Sequence, residues 1–65
     1  MDVIEIIQTK RDGRTLNKEQ IDWFINNFSA GHIPDEQTAA LAMSIYFNGM
    51  ETDELTNWTK AMVSS

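Results

Sequence analysis

The chain contains no cysteine and a single histidine. Without cysteine there is no disulfide staple and no thiolate zinc site, and one histidine makes no His-rich metal centre. Cations are scarce too: five Lys and Arg face ten Asp and Glu, a formal charge of −5. An acidic surface repels phosphate backbones and anionic lipid heads, which argues against nucleic acid and against a membrane surface as partners. No apolar run approaches the ~20 residues that a membrane-spanning helix needs. Acids interrupt the apolar positions of the opening MDVIEIIQTKRDG, which therefore resembles neither a signal peptide nor a transit peptide. A cytoplasmic location is expected.

What remains is one small domain of 65 residues, 42% apolar and 23% charged, a globular composition. A chain this short buries only about 60% of the surface it exposes when unfolded. With no disulfide or metal, its stability must come from helix packing or from a partner.

The patterning predicts an all-α domain, a compact four-helix bundle-like or orthogonal arrangement, with helices near 2–11, 17–30, 34–48 and 52–64. In the first, Asp2 stands at the cap and Glu5 in the first turn, while Lys10 and Arg11 meet the negative end of the helix dipole before Gly13. Val3, Ile4, Ile6 and Ile7 cover about half of its circumference. The second opens on Asn17-Lys18-Glu19-Gln20, a variant capping box, with Leu16 placed to staple onto Ile21. Ile21, Phe24, Ile25 and Phe28 then follow at i, i+3, i+4 and i+7, with Trp23 on the opposite side. The third starts at Pro34 or Asp35, and its run Ala39–Phe47 is apolar nearly all round, a pattern that predicts burial on more than one side. The fourth is capped at Thr52 and aligns Leu55, Trp58 and Met62 on one face. The expected core is Ile4, Ile7, Ile21, Phe24, Ile25, Phe28, Ala42, Met43, Leu55, Trp58 and Met62.

No complete catalytic set emerges. His32 lies in the Gly31–Pro34 turn with only Asp35 as a neighbour; a general base needs an orienting partner and a nucleophile, so it reads as an exposed loop histidine. Glu51, Asp53 and Glu54 lack the alternating spacing and central glycine of a calcium loop and read as complements to the helix dipole. Lys10 to Arg14 reads as a solvated helix end. Asn27-Phe28-Ser29 and Asn57-Trp58-Thr59 match the glycosylation sequon but fall within predicted helices. A DNA-reading helix-turn-helix would place Asp35 and Glu36 at the recognition helix N-terminus, where phosphate repels them. Catalytic, cofactor-binding and metal-binding residues are therefore all expected to be absent. Surplus apolar surface on the first and third helices points instead to self-association, with Val3, Ile6, Leu41 and Ile45 as the candidate seam of a two-fold dimer.

Several segments together carry a family resemblance. They are Lys10-Arg11-Asp12-Gly13, Leu16–Ile21, Gly31-His32-Ile33-Pro34-Asp35-Glu36-Gln37, Ala39–Met50, and Ala61-Met62-Val63 followed by Ser65. This pattern resembles the N-terminal helical domain of the thymidine phosphorylase and pyrimidine-nucleoside phosphorylase family over nearly the whole chain. The KRDG turn, the I-P-D-x-Q segment and the I-Y-F-x-G-M helix end are its most specific parts. Anthranilate phosphoribosyltransferases share the Gln-x-Ala-Ala helix but usually lack the KRDG turn and the Tyr-Phe-x-Gly-Met ending, so an enzyme of that kind is the second reading; a free-standing helical interaction module is the third. The departures from the family pattern are His32, where an acid is frequent, the Glu51-Thr52 pair, which looks inverted, and Trp58 in place of a leucine.

The resemblance implies a homodimeric enzyme with a small helical domain and a large α/β phosphate-binding domain that is absent from residues 1–65. Such enzymes are pentosyltransferases of nucleoside salvage. They cleave the N-glycosidic bond of a pyrimidine nucleoside with inorganic phosphate as co-substrate, giving free base and pentose 1-phosphate. The family's phosphate motif and base-holding residues lie beyond position 65, and Ser65 corresponds to the serine that precedes the hinge. The resemblance thus implies no cofactor in this segment, no activity of residues 1–65 alone, and a role in dimerisation and domain closure.

Overall fold

A computed structural model describes residues 1–64; Ser65, matched above to the hinge-side serine, lies outside the described residues. Four helices follow one another: α1 (Val3–Arg11), α2 (Lys18–Ser29), α3 (Asp35–Asn48) and α4 (Thr52–Ser64). No strand occurs among the described residues. The all-α expectation holds, and each helix boundary falls within a residue of its predicted place.

The helix starts are built as the sequence dictates. The Asp2 carboxylate accepts from the Glu5 N–H at 2.8 Å. Asn17 accepts from the Gln20 N–H while Gln20 accepts from the Asn17 N–H, so both halves of the capping box form. Pro34 stands just before α3 and has no side chain that can cap it. The cap of α4 differs from expectation. Thr52 is already helical, and the Glu51 carbonyl accepts the first helical bond, from the Leu55 N–H. Gly13, Gly31 and Gly49 have φ near +75°, a conformation that costs glycine nothing and lets the chain turn sharply out of α1, α2 and α3.

α1 packs against α3, and α2 against α4. The common core consists of Ile6, Leu16, Ile21, Phe24, Ile25, Ile33, Leu41 and Trp58. Phe24 meets Trp58 edge-on at 5.6 Å and stacks on Phe28 at 6.0 Å. Of the expected core, Ile21, Phe24, Ile25 and Trp58 are buried and Ile7 is half-buried, whereas Ile4, Phe28, Ala42, Met43, Leu55 and Met62 are exposed. Phe28 lies on the predicted stripe, but its stack on Phe24 leaves it 50% exposed. Trp23, expected on the far side of α2, is half-buried and packs against the core. α3 is buried along one side only, through Leu41 and Ser44, so its second apolar face stays in solvent.

Candidate functional site

The most constrained polar cluster is centred on Glu54, in the first turn of α4. One Glu54 oxygen accepts from Lys10 Nζ at 2.8 Å and from the Glu51 N–H at 2.9 Å. The other accepts from Lys10 Nζ at 2.9 Å and from the Leu16 N–H at 2.8 Å. The carboxylate therefore fills its acceptor sites from α1, from the α1–α2 connection and from the residue preceding α4. The Glu51 contact is the reciprocal half of a capping box, with Glu54 at its third helical position. Both partners are buried, Glu54 completely. Burial alone raises the Glu54 carboxyl. The hydrogen bonds from Lys10, Leu16 and Glu51, with the Lys10 charge, more than offset this and hold it below the usual carboxylate range. Nearby, Asn48 at the end of α3 donates through Nδ2 to the carbonyls of Lys10 and Arg11 at 3.0 and 3.3 Å. It adds a second donor to the Lys10 carbonyl, which already accepts from the Gly13 N–H, and supplies one to the carbonyl of Arg11 in the last turn of α1.

These contacts correct two readings. Lys10 is a buried ion-pair partner and not part of a solvated helix end. Glu54 does more than complement the dipole. No sequence pattern pairs residues 44 apart in the chain; only the basic Lys10–Arg14 stretch and the acids Glu51, Asp53 and Glu54, each read by itself, mark the two sides of the cluster.

His32 is exposed, its Nδ1 3.4 Å from Asn27 Oδ1. Among the described residues no group of three or more His, Cys, Asp or Glu is arranged to hold a metal ion. A cleft of ≈ 260 Å³ between α2 and α4 is lined by Lys18, Asp22, Asn26, Asn57, Lys60, Ala61 and Ser64; within it Lys18 and Asp22 pair at 2.6 Å, four residues apart along one helix face. The indole N–H of Trp58 is buried with no acceptor among the described residues, a cost of about 1–3 kcal/mol. No helix among the described residues is long and apolar enough to cross a membrane.

The four seam candidates separate. Ile6 and Leu41 are core residues with no surface left for a second copy, while Val3 and Ile45 are half-buried against that core. The apolar surface of the α1–α3 pair belongs instead to Ile4, Met43, Tyr46 and Phe47, with Tyr46 79% and Phe47 73% exposed. The two rings meet edge-on at 5.5 Å. Exposed aromatics and methionine are the side chains enriched in protein interfaces.

Comparison with known proteins places this architecture. The chain is 51% identical over all 65 residues to a pyrimidine-nucleoside phosphorylase of Staphylococcus aureus (strain bovine RF122 / ET3-1). It is 45% identical over the same span to that of Staphylococcus epidermidis (strain ATCC 35984 / DSM 28319 / BCRC 17069 / CCUG 31568 / BM 3577 / RP62A). In both cases it spans the N-terminal 15% of the relative's length. Residues 4–65 match the glycosyl transferase family, helical bundle domain, and the chain belongs to that family.

Proposed function

We propose that this chain is the N-terminal helical domain of a pyrimidine-nucleoside phosphorylase, an enzyme that transfers the pentose of a pyrimidine nucleoside from base to inorganic phosphate. The observation that carries this reading is the match over the whole chain, at 51% identity, to the N-terminal 15% of such an enzyme. A cluster that ties three chain segments together suits a domain that moves as a rigid body against an α/β phosphate-binding domain. Phosphorolysis needs nucleoside and phosphate held together with water excluded, which closure of one domain on another supplies. The α1–α3 face fits a two-fold homodimer, which would anchor the small domains and leave the large ones free to swing. A cytoplasmic setting follows from the same reading, since its phosphate and nucleoside substrates are those of intracellular salvage.

The test is a hybrid in which residues 1–65 replace the matching segment of the Staphylococcus aureus enzyme. Phosphate-dependent release of uracil from uridine or thymine from thymidine, within about tenfold of the unmodified enzyme, is the expected result. A soluble hybrid that binds nucleoside but shows no phosphorolysis would count against the assignment.

A further inference from the structure

The orientation of α4 about its own axis is not the one its apolar residues favour. Leu55, Trp58 and Met62 form a continuous stripe, yet the structure buries Glu54 and Trp58, half-buries Ala61, and leaves Leu55 57% and Met62 63% exposed. At ~100° per residue, the buried side is turned by roughly 60° from the stripe. The turned orientation brings a carboxylate inside and puts two large apolar side chains in water, both unfavourable on their own. The compensating contact is the one between Lys10 Nζ and both oxygens of Glu54, joined by the N–H groups of Leu16 and Glu51.

We infer that the Lys10–Glu54 pair is a rotational lock: it selects one of two faces that α4 can bury, and so holds the Leu55–Met62 edge outward. Two registers of one amphipathic helix on one core are discrete alternatives, because packed interfaces switch between arrangements and do not deform continuously. Fixing register is the best attested use of a buried polar pair. The lock is well placed for the task. Lys10 is held in α1, whose end is itself fixed by Asn48, and Glu54 is in the first turn of α4, where a rotation carries it directly out of the core. Trp58 lies between the two faces and remains inside in either register.

The chain has no native cysteine, so Leu55→Cys gives a single thiol whose labelling rate reports which way α4 faces. In the otherwise unaltered chain this thiol reacts as an exposed one. Adding Lys10→Met leaves Glu54 without its cation; the helix then turns Glu54 to solvent and the introduced thiol inward, and labelling slows by about tenfold or more while far-UV circular dichroism stays helical. Adding Lys10→Arg instead, which keeps the cation, retains the fast rate. A folded Lys10→Met chain that labels as fast as the unaltered background would show that no second register exists. Loss of helical signal in Lys10→Met would show a pair that supplies stability and not register. Either result overturns the inference.

Discussion

Lys10 and Glu54 stand 44 positions apart in sequence, and their charged groups meet at 2.8 Å in the interior. The contact joins the end of α1 to the start of α4 across a core made mainly of aliphatic side chains. In a medium of low polarity such a pair demands that every acceptor be used, and the backbone N–H groups of Leu16 and Glu51 complete the set. The KRDG turn and the first turn of α4 therefore have an architectural task in this domain.

Removing one partner should be more damaging than removing both charges. Glu54→Gln leaves the Lys10 ammonium buried without its counterion and is expected to cost about 3–5 kcal/mol in urea unfolding. Lys10→Met combined with Glu54→Leu removes both charges but also takes the acceptor from the Leu16 and Glu51 N–H groups; it should cost about 1–3 kcal/mol, less than the lone Glu54→Gln change. Equal losses in the two variants would mean that charge burial is not the deciding factor.

The same pair sets an acid limit. The Glu54 carboxyl is held below its usual range in the folded chain, so the unfolded chain takes up a proton on this group first. Its contribution to stability is fully present above about pH 4.3 and disappears as pH falls through the lower, folded-state value. Unfolding free energies measured from pH 7 to pH 2 should fall on the acid side of that window. Glu54→Gln should lack that component of the slope.

The aromatic stripe of α2 divides in effect. Phe24 is buried against Trp58, and Phe24→Ala should cost about 3–5 kcal/mol. Phe28 keeps half its surface in water, and Phe28→Ala should cost roughly half as much, as the transfer of half a ring implies. Comparable losses at both positions, measured by urea unfolding, would place Phe28 under cover that this fold does not give it.

Self-association is expected through the outer face of the α1–α3 pair. Sedimentation at micromolar concentration should show a dimer, and Tyr46→Glu or Phe47→Glu should give a folded monomer, because a charge there must be desolvated at the seam. Ile45→Glu is a poorer probe, since Ile45 packs against the core and its replacement disturbs the fold as well. A monomeric unaltered chain would remove the support for this interface.

Local signals make most of the fold legible. Asp2, the Asn17–Gln20 box, Pro34 and three glycines punctuate the chain so closely that four helices and their limits follow from the sequence. Which face each helix buries is less legible. The stripe on α2 is unambiguous and reads correctly at Ile21, Phe24 and Ile25, but Phe28, stacked on Phe24, keeps half its surface in water. α3 is apolar on all sides, so its sequence says nothing about which side meets α1; Leu41 and Ser44 do, and Met43 does not. Ile6 and Leu41 look like surplus surface only while each helix is considered alone. α4 misleads most, because Glu54 draws the helix round to a long-range partner that no periodicity encodes. The Glu54 cluster is visible in the sequence only as two separate motifs, one basic and one acidic, each with an adequate local explanation.

A ¹³C-detected titration of the Glu54 side-chain carboxyl from pH 7 to pH 2 measures the central interaction itself. A midpoint clearly below the ordinary glutamate value of about 4.3 is predicted, because Lys10 and two backbone N–H groups stabilise the ionised form in the folded chain. A midpoint at or above that value would mean that burial outweighs its partners, and it would contradict a fold tied together by an ionised Glu54.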